Sequence, residues 1–195
     1  KCNPNERILS FYTSQEISKL ISFIDTNSKI GKRNYAMLLL AAILGFRASD
    51  IVNLKFNDIN WNNKVISIKQ QKTGKDLIQP FPDEVFFALL DYLKNARPIA
   101  ECSNIFVTSV VPFRKLSPSA LSVITTKYFK LANIDISKRK HGIHSFRHSF
   151  SNNMLANNIS LQDISASLGH SYLSTTTMYT NIDINTLKLL SLEVN

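Results

Sequence analysis

The decapeptide His141-Gly142-Ile143-His144-Ser145-Phe146-Arg147-His148-Ser149-Phe150 concentrates four cationic or cation-forming side chains in eight residues. With a helical backbone from Ser145 onward, His144, Arg147 and His148 stand at i, i+3 and i+4 and share one face. Phe146 and Phe150, four residues apart, take a neighbouring face and enter the core. A lone histidine there would be an ordinary structural group. Two histidines and an arginine on one face are costly to bury without an anion to receive their donors, and phosphate meets that need. Zinc is a poor alternative. No Glu lies between the histidines, as it does in His-Glu-x-x-His helices, and Arg147 would repel a cation.

About 100 residues upstream, Gly45-Phe46-Arg47-Ala48-Ser49-Asp50-Ile51-Val52-Asn53-Leu54 sets a second arginine directly after an apolar segment, with a carboxylate three residues on. A helical turn brings Arg47 and Asp50 together. That pair is either a surface ion pair worth little or an anion-binding arginine held by an acid behind it. Lys72 precedes Thr73-Gly74 at an expected hairpin tip, where it either solubilises the turn or reaches into a groove. Downstream, Leu168-Gly169-His170 ends a helix in the manner of a glycine C-cap, and Thr175-Thr176-Thr177-Met178-Tyr179 follows a Ser/Thr-rich turn. Any one of the six tyrosines, taken alone, reads as core or interface.

Around these segments the pattern is mostly helical. Thr13-Ser14-Gln15-Glu16 carries a capping hydroxyl and an acid, and Ile17, Leu20, Ile21 and Ile24 follow at helical spacing, which predicts an amphipathic helix to about Asp25. Residues 33–44 are apolar almost all round and predict a buried helix stopped by Gly45, with a short helix over 48–54 after it. Between Asp58 and Pro80 the period changes. Ile59-Asn60-Trp61, Val65-Ile66-Ser67-Ile68 and Leu77-Ile78, parted by Asn62-Asn63 and Thr73-Gly74, predict a small antiparallel sheet. Pro82-Asp83-Glu84 opens a helix through Leu93, Ser117-Pro118 opens another, and residues 145–192 read as several short helices broken at Ser and Asn.

The expected architecture is therefore mainly α with a small antiparallel β-sheet, in one domain over 13–181. Residues 1–12 read as a linker remnant. The tail, 182–195, carries Leu187, Leu189, Leu190 and Leu192, and is expected to pack on its own domain or dock on a neighbouring protomer.

A chain of 195 residues with 44% hydrophobic content is long enough for a real core, and no apolar run reaches the roughly 20 residues that span a bilayer. Cys2 and Cys102 make neither a disulfide framework nor a Cys-x-x-Cys site. The first residues resemble neither a signal peptide nor an arginine-rich presequence, and the chain opens on Lys1, so it reads as a piece of a longer cytoplasmic protein. The net charge of +9 favours a polyanionic partner, because each Lys or Arg near a phosphate releases condensed counterions.

In chain order, Gly45-Phe46-Arg47-Ala48-Ser49-Asp50, Lys72-Thr73-Gly74, His144-Ser145-Phe146-Arg147-His148, Leu168-Gly169-His170 and Tyr179 resemble the signature of the tyrosine recombinase, or phage integrase, family. The resemblance runs from about Glu6 to Asp183 and includes the nine-residue step from His170 to Tyr179. It departs at Phe46, where that family often has Leu or Met, at Asp50, where it often has Glu, and at Ser145-Phe146, where it often has Asp-Leu.

What the resemblance implies is the family's DNA breaking-rejoining fold and site-specific recombination of double-stranded DNA, probed by a tyrosine nucleophile at Tyr179. Arg47 and Arg147 would clamp the non-bridging oxygens of a phosphodiester whose charge grows in the transition state. A phenol with pKa about 10 needs help to attack at neutral pH, and His144 takes that proton-handling role. Lys72 would protonate the departing 5′ oxygen, His170 would hydrogen-bond the phosphate, Asp50 would fix Arg47, and His148 would support the face. Bond energy kept in a 3′-phosphotyrosine calls for no ATP, metal or other cofactor. The same resemblance implies a homotetramer on DNA, a DNA-binding domain N-terminal to this sequence, and integration or excision of a mobile element. Two alternatives stay open: a type IB topoisomerase, and a DNA-binding regulator that kept the fold without its chemistry.

Overall fold

Hydroxyl side chains set several helix starts in the computed structural model, which describes residues 11–169. α1 (Ser14–Ser22) opens with the expected capping box: Thr13 Oγ1 accepts from Glu16 N–H, and the Glu16 carboxylate accepts from Thr13 N–H at 2.9 Å. It stops short of Asp25 because Phe23 N–H and Ile24 N–H fold back on Leu20 and Ile21 in tighter turns. α2 (Lys29–Leu44) begins earlier than its apolar stretch, since Ser28 Oγ accepts from Gly31 N–H and starts the helix there. Its middle is buried on all sides. Gly45 ends it with φ +64°, and a Cβ there would lie 2.8 Å from the side chains of Leu168 and Phe150, so both conformation and space call for glycine.

α3 (Ala48–Asn53) follows at once, and a 3-10 turn, Phe56–Asp58, leads into the sheet. β1 (Ile59–Asn60), β2 (Val65–Lys69) and β3 (Asp76–Pro80) pair antiparallel in the order β1-β2-β3, with Ile66 opposite Gln79 and Ile68 opposite Leu77. Alternation decides the faces: Ile66, Ile68 and Leu77 are buried while Ser67, Lys69 and Ile78 are exposed. α4 (Asp83–Asn95) and α5 (Pro118–Leu131) come next, α5 entering through the Ser117-Pro118 signal.

α6 (Ile143–Ala156) is a single helix that starts two residues before Ser145, and α7 (Leu161–Leu168) follows it. The serines inside α6 do not interrupt it. Ser145, Ser149 and Ser151 are buried, and each returns its hydroxyl to a carbonyl one turn back, at 2.6, 2.9 and 3.0 Å, so none competes with the helix. The expected Ser and Asn break lies after it: Asn158 has φ +60°, and Ser160 Oγ accepts from Asp163 N–H to start α7.

α2 is the central element, packed by α4 on one side and α6 on another. Phe146 of α6 meets Phe129 of α5 edge-on at 6.0 Å, and Phe129 in turn meets Tyr12 at 4.3 Å. This core fixes α6 against the C-terminal end of α2, which places residues 144–148 beside Arg47. Among the described residues no helix is long and apolar enough to cross a membrane. The tail, 182–195, lies outside the described residues, as do residues 1–10.

Candidate active site

Arg147 is the keystone of the arrangement. It is 7% exposed, and its guanidinium donates through Nη1 to Gly45 O and through Nη2 to Leu168 O, both at 2.7 Å. Those carbonyls end α2 and α7, where helix dipoles leave partial negative charge, so two helix C-termini offset the cost of burying the cation. One side chain on α6 thereby ties three helices together in a fixed geometry.

Arg47 sits at the N-cap of α3, directly after the Gly45 stop, with its side chain 11% exposed. Asp50 lies one helical turn on, and its Oδ2 stands 3.9 Å from Arg47 Nη1, the outer limit of an ion pair. Its firmer bond goes elsewhere: Oδ1 accepts the backbone N–H of Gln71 at 3.0 Å. Beside its expected place next to Arg47, Asp50 thus has a second partner in the hairpin. Through Oδ1, Asp50 takes a fixed backbone donor, and in accepting it fastens the β2–β3 hairpin to the arginine's helix.

Lys72 is exposed at the tip of that hairpin, whose turn is closed by Gln70 N–H to Lys75 O and Gly74 N–H to Gln70 O, both at 2.8 Å. His144 is exposed on the first turn of α6. Its pKa is pushed below the ordinary histidine value, first by partial burial and then by the charges of Lys72, Arg147 and Arg47, which all bear on the ring. His148, one turn further and half-buried, is pushed down by burial and then by His144, Arg147 and Lys140. The fold therefore brings Arg47, Lys72, His144 and Arg147 to one place, with Asp50 and His148 behind them. His170 and Tyr179 lie outside the described residues.

Chemically, this is a cluster of positive charge suited to an anion. Preoriented donors around a phosphate lower the barrier by stabilising the charge that develops on its oxygens, and they cost no reorganisation at the moment of reaction. A histidine kept neutral near pH 7 is also an available proton acceptor.

The model of the phage integrase family matches residues 10–185 of the chain. The chain belongs to the phage integrase family. It is 36% identical over 178 residues to a putative integrase/recombinase, y4rA, of Sinorhizobium fredii, covering 91% of this chain and 42% of that protein. It is 34% identical over 177 residues to the tyrosine recombinase XerA of Pyrococcus furiosus, covering 90% of this chain and 58% of that one. The chain thus spans about half the length of these relatives. Among solved structures, the XerA recombinase superposes with a TM-score of 0.78 at 23% identity, over 99% of this chain and 66% of that chain. The XerH recombinase in a post-cleavage complex with its difH substrate superposes with a TM-score of 0.80 at 22% identity, over 97% and 55%. The mainly helical body with its three-stranded sheet is the phage integrase catalytic-domain fold.

One residue of this phage integrase site goes unnoticed in the sequence: Gln70, 1% exposed, whose Nε2 donates to Leu168 O at 2.9 Å. A signal for it exists. Continuing the β2 alternation from Ile66 and Ile68 puts position 70 on the buried face, where a carboxamide must find partners.

The depressed histidines give the integrase domain a pH-dependent stability. An unfolded chain takes up protons on these rings at about pH 6.5, while the folded domain resists until lower pH. Stability is expected to fall as pH drops from about 7 toward 5, and the double variant His144→Asn, His148→Asn to show a shallower decline. Urea midpoints measured across that range check this; equal slopes would contradict it.

Proposed function

We propose that this integrase domain cuts and rejoins double-stranded DNA as a site-specific recombinase, through a 3′-phosphotyrosine intermediate on Tyr179. The observation that carries the reading is geometric: two helix ends hold Arg147 beside Arg47, and Asp50 ties the Lys72 hairpin to Arg47's helix. The charges of Lys72, Arg147 and Arg47 on His144 agree with it. Arg47 and Arg147 bind the non-bridging oxygens of the scissile phosphate. The Tyr179 oxygen attacks phosphorus while His144 accepts the phenol proton. As the P–O5′ bond breaks, Lys72 gives a proton to the departing oxygen, leaving a free 5′-hydroxyl. His170 hydrogen-bonds the phosphate. A 5′-hydroxyl from a second duplex then reverses the steps and takes the 3′ phosphate from the tyrosine, which releases a rejoined strand without any external energy source.

Exchange between two duplexes needs several protomers on DNA, which supports a homotetramer, with the 182–195 tail docking between protomers. The solved relatives XerH and lambda integrase are recorded on DNA, XerH with its difH substrate. A further, N-terminal DNA-binding domain in the whole protein is part of this reading; y4rA and XerA run well beyond the stretch they share with this chain. A mobile element whose ends the enzyme joins in the cytoplasm is the setting we favour.

The test is a supercoiled plasmid carrying two copies of the element junction, incubated with the full-length protein. Excised and resealed circles are expected. Relaxed plasmid without recombinant circles would replace this reading with topoisomerase activity, and binding with neither product would leave a regulator.

A further inference from the structure

We propose that Gln70 is a positioning residue for Lys72, holding the hairpin tip against the same carbonyl that anchors Arg147. The inference rests on the reading of Lys72 as the acid that protonates the departing 5′ oxygen.

Leu168 O accepts from Gln70 Nε2 at 2.9 Å and from Arg147 Nη2 at 2.7 Å. A carbonyl has two lone pairs, and here they join a residue two positions before Lys72 to the arginine on α6. The other end of the carboxamide is also engaged: Thr73 Oγ1 donates to Gln70 Oε1 at 2.8 Å. Thr73 follows Lys72 directly, so the amide grips the tip on both sides of the lysine. Its orientation is fixed by both partners, since Leu168 O needs a donor and the hydroxyl, aimed at oxygen, needs an acceptor. Gly169 lets this happen. A Cβ there would stand 2.7 Å from the Gln70 amide, so glycine is the residue that admits the close approach. The Asp50 bond to Gln71 N–H is a second tether on the next residue.

Hairpin tips in water are loosely held, and an exposed lysine on a free tip would sample many positions. A buried bond from Gln70 and a part-buried one to Gln71 N–H restrict the backbone from which Lys72 projects. A misplacement of about 1 Å in a proton donor costs on the order of 100-fold in rate. A residue that merely stabilised the fold would slow every substrate alike. One that positions the acid matters only where the leaving group needs a proton.

A DNA substrate with sulfur in place of the scissile O5′ separates the two. Its leaving group is a thiol with pKa near 8.5, which departs as thiolate without an acid. In the full-length protein, Gln70→Leu is expected to cleave ordinary suicide DNA about 10- to 100-fold more slowly than the parent, yet cleave the 5′-phosphorothiolate within about threefold of it. Lys72→Ala is expected to show the same rescue, and Arg147→Lys none, because its role is on the non-bridging oxygens. Equal slowing of Gln70→Leu on both substrates, or none on either, overturns the proposal. Failure of the sulfur substrate to rescue Lys72→Ala instead overturns the assignment of Lys72 as acid. Should Gln70→Leu not fold, Thr73→Val removes one grip from an incompletely buried position, and the same oxygen-selective loss is required of it.

Discussion

Arg147→Ala is expected to lower strand cleavage by about 1000-fold and to destabilise the domain by roughly 2–5 kcal/mol. The two effects have one origin. The guanidinium fills a site where Gly45 O and Leu168 O both point inward at 2.7 Å, and removing it leaves two buried acceptors without that donor. In the proposed mechanism the same loss removes a cation that binds the phosphate. Arg147→Lys keeps a charge, but a single ammonium cannot reproduce the planar fork that reaches carbonyls of α2 and α7 together. It should recover part of the stability and little of the rate. Urea denaturation and single-turnover cleavage of a suicide substrate check both halves. Reduced stability with undiminished cleavage would make Arg147 a scaffold residue only.

Tyr179→Phe is expected to abolish the covalent DNA adduct, a loss of at least about 10⁴-fold. DNA affinity should stay within about threefold, since the change removes no positive charge and the phosphate contacts that dominate binding remain. The salt dependence of affinity should be unchanged for the same reason. Denaturing gels read the adduct and gel-shift titrations the affinity. This pairing is what separates a nucleophile from a tyrosine that supports the fold, because a misfolded variant would lose binding as well.

How far the sequence could be read depended on how local each interaction is. The capping box at Thr13 and Glu16, the stop at Gly45 and the alternation of Ile66 and Ile68 each involve residues within one turn or one pleat, and each appears in the structure as expected. The one-face placement of His144, Arg147 and His148 is local too, and α6 is helical through all three. What spacing could not give is the partner of a side chain across the chain. Arg147 finds Gly45 O 102 positions away, and Gln70 finds Leu168 O 98 positions away. Asp50 shows the limit most clearly. Its i+3 relation to Arg47 suggested an ion pair, but its firmer bond is to the Gln71 backbone N–H, a group every residue except proline carries and no sequence pattern marks. The serines of α6 show that a residue type alone does not mark a break: a hydroxyl is harmless to a helix when buried and bonded one turn back, whereas Ser160 caps the next helix.

The cationic cluster and the tyrosine that would attack beside it meet in a single observable, the DNA–protein adduct. A nicked suicide duplex, labelled on either side of the scissile phosphate, traps that adduct, and proteolysis followed by mass spectrometry locates the linkage. The account predicts a DNA 3′ phosphate joined to the peptide containing Tyr179, together with release of a strand bearing a free 5′-hydroxyl. A linkage at any other residue, attachment through a 5′ phosphate, or cleavage of the duplex with no adduct at all would contradict it.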